Sequence, residues 1–147
     1  MSDELELDQI ARTAGLPPGT LRYVGEGRAE TPILRALWFD EQQVVERTST
    51  RLEDALTPPQ AGKVLWLDIA GVQEVALVEA VGQRFGLHPL VMEDILNTAE
   101  RPKLDDLGDS LYLVLKSLYY DPQQDEVVDE QVSLVLGSQR AEQFVHV

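Results

Sequence analysis

A mixed α/β architecture, a sheet of parallel and antiparallel strands with helices packed on both of its faces, is the fold this sequence predicts. Three observations carry it. VLWLDIAG (64–71) is apolar on both faces of a strand, with Leu65, Leu67 and Ile69 on one and Val64 and Trp66 on the other. Such a strand belongs in the middle of a covered sheet. The period then changes, because Val75, Val78, Val81 and Phe85 recur at helical spacing and HPLVMEDILN (88–97) follows with the same period. Finally, DSLYLVLKSLYY (109–120) and EQVSLVLG (130–137) are apolar runs on either side of the turn-forming DPQQDE, the pattern of two long antiparallel strands. Strands, then helices, then strands imply a mixed sheet with helices against it.

The elements read in order as follows. Residues 1–14 suit a short helix with Leu5, Ile10 and Ala14 on one side and Gly15 as its stop. GLPPGT (15–20) is a turn, with proline fixing φ and glycine relaxing it. TLRYVG (20–25) and ILRALWFD (33–40) read as strands joined by the loop GEGRAET, so residues 20–40 suggest a hairpin with a long connection. QQVVERT is strand-like, LEDAL is a short helix, and TPPQAG (57–62) punctuates without being long enough to separate domains. Gly86 ends the helix that begins near Val75, and Pro89 and Asn97 bound the next one. QFVHV at the end suits one more strand. There is no internal repeat, and residues 1–147 form a single domain of ordinary size.

Composition narrows the function classes. The formal net charge is −14, which disfavours nucleic acid and anionic membrane surfaces as partners, since phosphate binding needs a basic footprint. Cations and basic protein surfaces suit such a field, as does plain solubility. The chain has no cysteine, which excludes disulfides, thiolate zinc sites and cysteine nucleophiles. MSDELELDQ lacks an apolar signal core, and no uncharged apolar run reaches the roughly 20 residues of a membrane span.

Most motifs that carry chemistry are missing, including G-x-S-x-G, H-E-x-x-H and the P-loop, so an enzyme is not expected and no catalytic residue is assigned. Gly25-Glu26-Gly27 lacks the third glycine of a dinucleotide loop and places an acid where phosphate would approach. His88 suits a cap or packing role at a helix start, and His146 lies far from it in sequence. DPQQDEVVDE lacks the glycine and alternating oxygens of an EF-hand, and Asp105, Asp106 and Asp109 read as a loop before a strand. Glu93 and Asp94 remain. On a helix, Val91, Met92, Ile95 and Leu96 make an apolar stripe, and Glu93, Asp94 and Asn97 take the opposite side. Helix geometry alone makes this a solvated polar face. Adjacent helical residues diverge by about 100°, so the two acids are poorly placed to chelate one ion together. Each can still serve a different ion, or one held against another surface, and Mg2+ suits that because it keeps several waters and accepts one or two carboxylates.

WLDIAG, FGLHPLVMEDILN, RPK, LYLVLKSLYYD and EQVSLVLG, in this order and with these gaps, resemble the cytoplasmic N-terminal domain of CorA magnesium/cobalt transport proteins, and GLPPGTLRYVG matches the same family's opening. The resemblance covers roughly residues 15–137 and is weak between 26 and 62. It implies an α/β domain in the cytoplasmic funnel of a homopentameric divalent-cation channel of the cell membrane, where intracellular Mg2+ bound between neighbouring subunits holds the pore closed. It implies Mg2+ as the regulatory ion, with Co2+ or Ni2+ as further candidates. The family's regulatory acids fall on Glu93 and Asp94, and an implicated backbone carbonyl of the Gly-Leu-Pro-Pro-Gly turn falls on Leu16.

The sequence departs from the family pattern in two respects. It has no long stalk helix, membrane span or Gly-Met-Asn motif, so it is expected to be the sensor domain of a longer protein, soluble by itself, non-conducting, and tied to the membrane only through C-terminal segments it lacks. GSQRAEQFVHV also differs from the apolar strand expected after Gly137. Two alternatives follow: the equivalent domain of a ZntB-like zinc transporter, and a free-standing module that binds a protein partner through its acidic surface.

Overall fold

The computed structural model describes residues 15–25, 31–137 and 140–145. The expected N-terminal helix over residues 1–14 lies outside them. In chain order come β1 (Ile33–Phe39), β2 (Val44–Ser49), α1 (Leu52–Leu56), β3 (Val64–Ala70), α2 (Val75–Phe85), α3 (Pro89–Leu96), β4 (Lys103–Asp106), β5 (Ser110–Asp121), β6 (Glu126–Gly137) and β7 (Arg140–Val145). The strands make one seven-stranded sheet in the order β2-β1-β3-β7-β6-β5-β4. The sheet is mixed: β3 and β7 run parallel, and every other neighbouring pair is antiparallel. The final strand therefore forms despite its polar sequence, and it pairs along both edges, with β3 and with β6.

Register explains the core. Leu34 stands opposite Ile69 and Ala36 opposite Leu67, while Tyr112 faces Val135 and Val114 faces Ser133. Residues directly opposite share a face, and all of these are buried. Over that face lie Leu52, Ala55 and Leu56 of α1, Leu77, Val78 and Val81 of α2, and the whole apolar stripe of α3. Each fully buried side chain of this kind contributes about 1.5–3 kcal/mol of transfer free energy. The stripe predicted for α3, Val91, Met92, Ile95 and Leu96, is its buried set. Gly86 ends α2 in the left-handed region at φ 71°, with its N–H donating to the Gly82 carbonyl.

The structure differs from the sequence reading in three places. Residues 20–25 form no strand with β1. Val24 instead makes an isolated parallel bridge to Asn97, its N–H donating to the Leu96 carbonyl at 2.8 Å and its own carbonyl accepting the Thr98 N–H at 2.9 Å. Val24 thus finds its backbone partners at the exit of α3 and not on β1. Second, β3 is central but buried on one face only: Leu65, Leu67 and Ile69 are inside, whereas Val64 is 38% exposed. The three helices among the described residues share that inner face, where helices on both faces were expected. Third, Asp105 and Asp106 belong to β4 and not to a loop.

Candidate functional site

The site grows from the start of α3. His88 precedes the helix, and its Nδ1 accepts the Leu90 N–H at 3.2 Å while Pro89 occupies the first turn, where no N–H is needed. His88 is thus a cap, as the sequence suggested. The buried stripe fixes the rotation of α3 about its axis, which turns Glu93, Asp94 and Asn97 away from the core, each only partly exposed.

The GLPPGT turn docks onto that polar face. It closes on itself through Thr20, whose N–H and hydroxyl both donate to the Pro17 carbonyl, at 3.2 and 2.6 Å. Gly19 sits at φ +83°, and a Cβ there would meet Pro89 Cβ at 3.1 Å. Glycine is required for both conformation and clearance. Its N–H donates to Glu93 Oε2 at 2.6 Å. The result is a small cleft of about 60 Å3 lined by Leu16, Thr20, Arg22, Glu93, Asp94 and Glu100, among others.

Glu93 and Asp94 go separate ways, as neighbours about 100° apart must. Glu93 reaches the turn. Asp94 reaches Lys103 at the start of β4, with Oδ2 to Nζ at 2.5 Å. Lys103 also stands 3.4 Å from Asp105 and 3.9 Å from Glu100, and 5.6 Å from the centre of the buried Tyr112 ring. Burial opposes the charge on Lys103, but the Asp94 hydrogen bond and the surrounding carboxylates outweigh it, so the ammonium is held above its ordinary pKa. Below α3, Gln131 of β6 donates its Nε2 to the carbonyls of Asn97 at 3.0 Å and Asp94 at 3.4 Å.

Glu100 is the acid the sequence reading missed. It accepts from Asn97 Nδ2 at 2.7 Å. Burial first, and the nearby Asp94 charge second, raise its carboxyl above the usual 4.5. A raised carboxyl pKa means that ionised Glu100 opposes folding at neutral pH, a penalty that disappears as pH falls through the folded-state value. Glu100→Gln keeps an oxygen for Asn97. We expect it to stabilise the domain at pH 7 without divalent ions, and to have no stabilising effect at pH 4. Urea unfolding at the two pH values checks this.

Three other acids that the sequence singles out have local partners. Asp106 accepts the Gly108 N–H at 2.8 Å, Asp109 accepts the Ser110 hydroxyl at 3.2 Å, and Asp121 caps its own turn by accepting from Gln123 and Gln124. His146 lies outside the described residues.

The donor set of the cleft is hard oxygen, which is the chemistry of Mg2+. Its number is short: among the described residues no three acidic or histidine side chains are grouped to hold a metal. An ion here would keep most of its waters or take further ligands from another surface.

Residues 61–141 match the family model described as CorA-like Mg2+ transporter protein. Over 132 residues the chain is 36% identical to the cobalt/magnesium transport protein CorA of Thermotoga maritima, covering 90% of this chain and 37% of the relative. Among solved structures it is similar to the full-length CmaX protein, with a TM-score of 0.62 at 19% identity over 83% of this chain and 37% of that one. It is also similar to the soluble domain of CorA from Methanocaldococcus jannaschii, with a TM-score of 0.51 at 11% identity over 77% and 40% of the respective chains. At such identities these two likenesses speak for the fold alone. The chain thus spans a little over a third of the length of the curated relative it matches. No helix among the described residues is long and apolar enough to cross a membrane.

Proposed function

The chain belongs to the CorA family of Mg2+ transporter proteins, and on that premise we propose that it is the cytoplasmic N-terminal domain of a divalent-cation transporter, sensing intracellular Mg2+ where subunits of a homopentamer meet at the inner face of the cell membrane. Glu93, Asp94 and the Leu16 carbonyl are the ligands this domain contributes. The observation that supports the reading is the cleft, which gathers Leu16 with Glu93 and Asp94 although more than 70 residues separate them in sequence. Because the acids are too few to enclose an ion, the remaining oxygens come from an adjacent subunit, and the ion then bridges the two. A charge of −14 on this domain makes neighbouring copies of it repel when no cation intervenes. Mg2+ favours the closed assembly to the extent that it binds that state more tightly.

The test uses the full-length transporter. Glu93→Ala combined with Asp94→Ala should leave conduction intact and raise the internal Mg2+ needed for half-closure by roughly 5- to 150-fold, the range of ordinary allosteric couplings. Ion flux that stays equally sensitive to internal Mg2+ would rule out the sensor role.

A further inference from the structure

We propose that Lys103 is a tethered counter-cation of the Glu93–Asp94 site, an ammonium that a divalent ion must displace from Asp94 in order to bind. The proposal rests on the reading above and adds to it a device within the chain that sets how much Mg2+ the site requires.

The geometry supplies the argument. Three carboxylates from three parts of the chain, Asp94 on α3, Glu100 in the connection after it and Asp105 on β4, lie within 4 Å of one ammonium. Asp94 offers Lys103 its shortest contact and also lines the cleft beside Glu93. The ammonium is held from below by the face of Tyr112, a side chain with no exposure of its own. Tyr112 thereby fixes the height at which the charge sits above the sheet. The Lys103 side chain is nonetheless 31% exposed, so it has an outward path. A lysine suits an exchangeable role: it is a compact charge on a flexible stem, without the planar bidentate grip of an arginine.

Two consequences follow. While Lys103 pairs with Asp94, one of the clustered negative charges is offset without a divalent ion. While it does so, Asp94 is unavailable to a metal, and the apparent affinity falls by the fraction of molecules in which the carboxylate is released. A pair of this exposure is weak, so the reduction is modest, roughly three- to tenfold.

The experiment titrates MgCl2 into the purified full-length transporter by calorimetry and follows thermal unfolding at matched ionic strength. Wild type is compared with Lys103→Met, Lys103→Arg, Asp94→Asn, and Lys103→Met combined with Asp94→Asn. Lys103→Met should bind Mg2+ roughly three- to tenfold more tightly than wild type. It should also unfold at lower temperature without Mg2+ and recover with MgCl2 but not with NaCl. Lys103→Arg should show neither the gain nor the Mg2+-specific recovery, and the double variant should lose both. Lys103→Gln carries the same expectation should the methionine variant not fold. Binding in Lys103→Met that equals or falls below wild type, or recovery by NaCl as complete as by MgCl2, overturns the proposal. If in that case Asp94→Asn still weakens binding, the site reading survives without the tethered cation. If Asp94→Asn changes nothing, the site reading falls too.

Discussion

Gly82→Ala is expected to destabilise the domain by about 1–2 kcal/mol and to lower its Tm by roughly 3–6 °C, although alanine is the better helix former by about 1 kcal/mol. The reason is the α2–α3 contact. A Cβ built at Gly82 lies 1.9 Å from Met92 Sδ, and Met92 Cγ is also close, at 3.0 Å. Swinging the terminal methyl aside is therefore insufficient. The whole thioether must leave its place in the core, where Met92 is 8% exposed. Overpacking of this kind costs about 1–3 kcal/mol even when neighbours adjust. A double-mutant cycle makes the claim sharp. Met92→Ala alone opens a cavity and costs about 2–5 kcal/mol. In that background Gly82→Ala should become stabilising, because the new methyl then occupies vacated space and the helix gains its propensity. Additive effects of the two substitutions, measured by urea or thermal unfolding, would show that Gly82 is not there to admit Met92. The contact matters beyond stability, because Met92 and the acids Glu93 and Asp94 are consecutive on α3. Whatever tilts the helix also moves the cleft.

Some of this was open to sequence reasoning and some was not, for physical reasons. The stripe of α3 was legible because a helix has one period, and a buried face must follow it. The GLPPGT turn was legible because proline and glycine restrict the backbone locally. Where that turn docks was not, because nothing in a turn specifies which helix receives it. The strand composition of TLRYVG pointed toward β1, yet Val24 found its backbone partners at Leu96 and Thr98, a contact more than 70 residues away. Asp94 and Lys103 are nine residues apart and their pairing depends on β4 turning back beside α3, so Lys103 stood inside a recognised RPK block without an assigned role. Glu100 escaped notice because its raised pKa comes from burial and from Asp94, neither visible in a linear charge pattern.

Strand β6 shows the same limit in another form. In EQVSLVLG, alternation by hydrophobicity would send Val132, Leu134 and Leu136 inward. The structure buries Gln131, Ser133 and Val135 and leaves Leu136 53% exposed. The inner face at this point is the more polar one. It must meet the end of α3, whose last carbonyls need donors, and an aliphatic side chain has none to give.

That requirement predicts the effect of Gln131→Leu. Gln131 is 3% exposed and its amide nitrogen serves two carbonyls, those of Asp94 and Asn97. Leucine is close in volume and removes both hydrogen bonds at once, leaving the C-terminal end of α3 over an apolar surface. Each carbonyl keeps one backbone donor, Asp94 from the Asn97 N–H at 3.2 Å and Asn97 from the Glu100 N–H at 3.3 Å, so the loss is of two hydrogen bonds at about 0.5–1.5 kcal/mol each. Part of that is offset, because Gln131 Oε1 is itself buried without a partner and disappears with the substitution. The net expectation is a loss of about 1–2 kcal/mol. Gln131→Glu should do worse. It presents a buried carboxylate to two carbonyl oxygens, on the side of α3 where Asp94 and Glu100 already gather charge. Lys116 stands directly opposite on β5 and donates to the Thr98 carbonyl, so that charge is offset in part. Its cost is about 1–3 kcal/mol, and the loss should shrink below about pH 5, where a carboxyl protonates and regains a donor. Thermal and urea unfolding of the two variants across that pH range separates the contributions. Leucine's penalty should not depend on pH and glutamate's should. If the two behaved alike at every pH, Gln131 would be acting through its volume and not as the donor that ties α3, and the acids it carries, to the sheet.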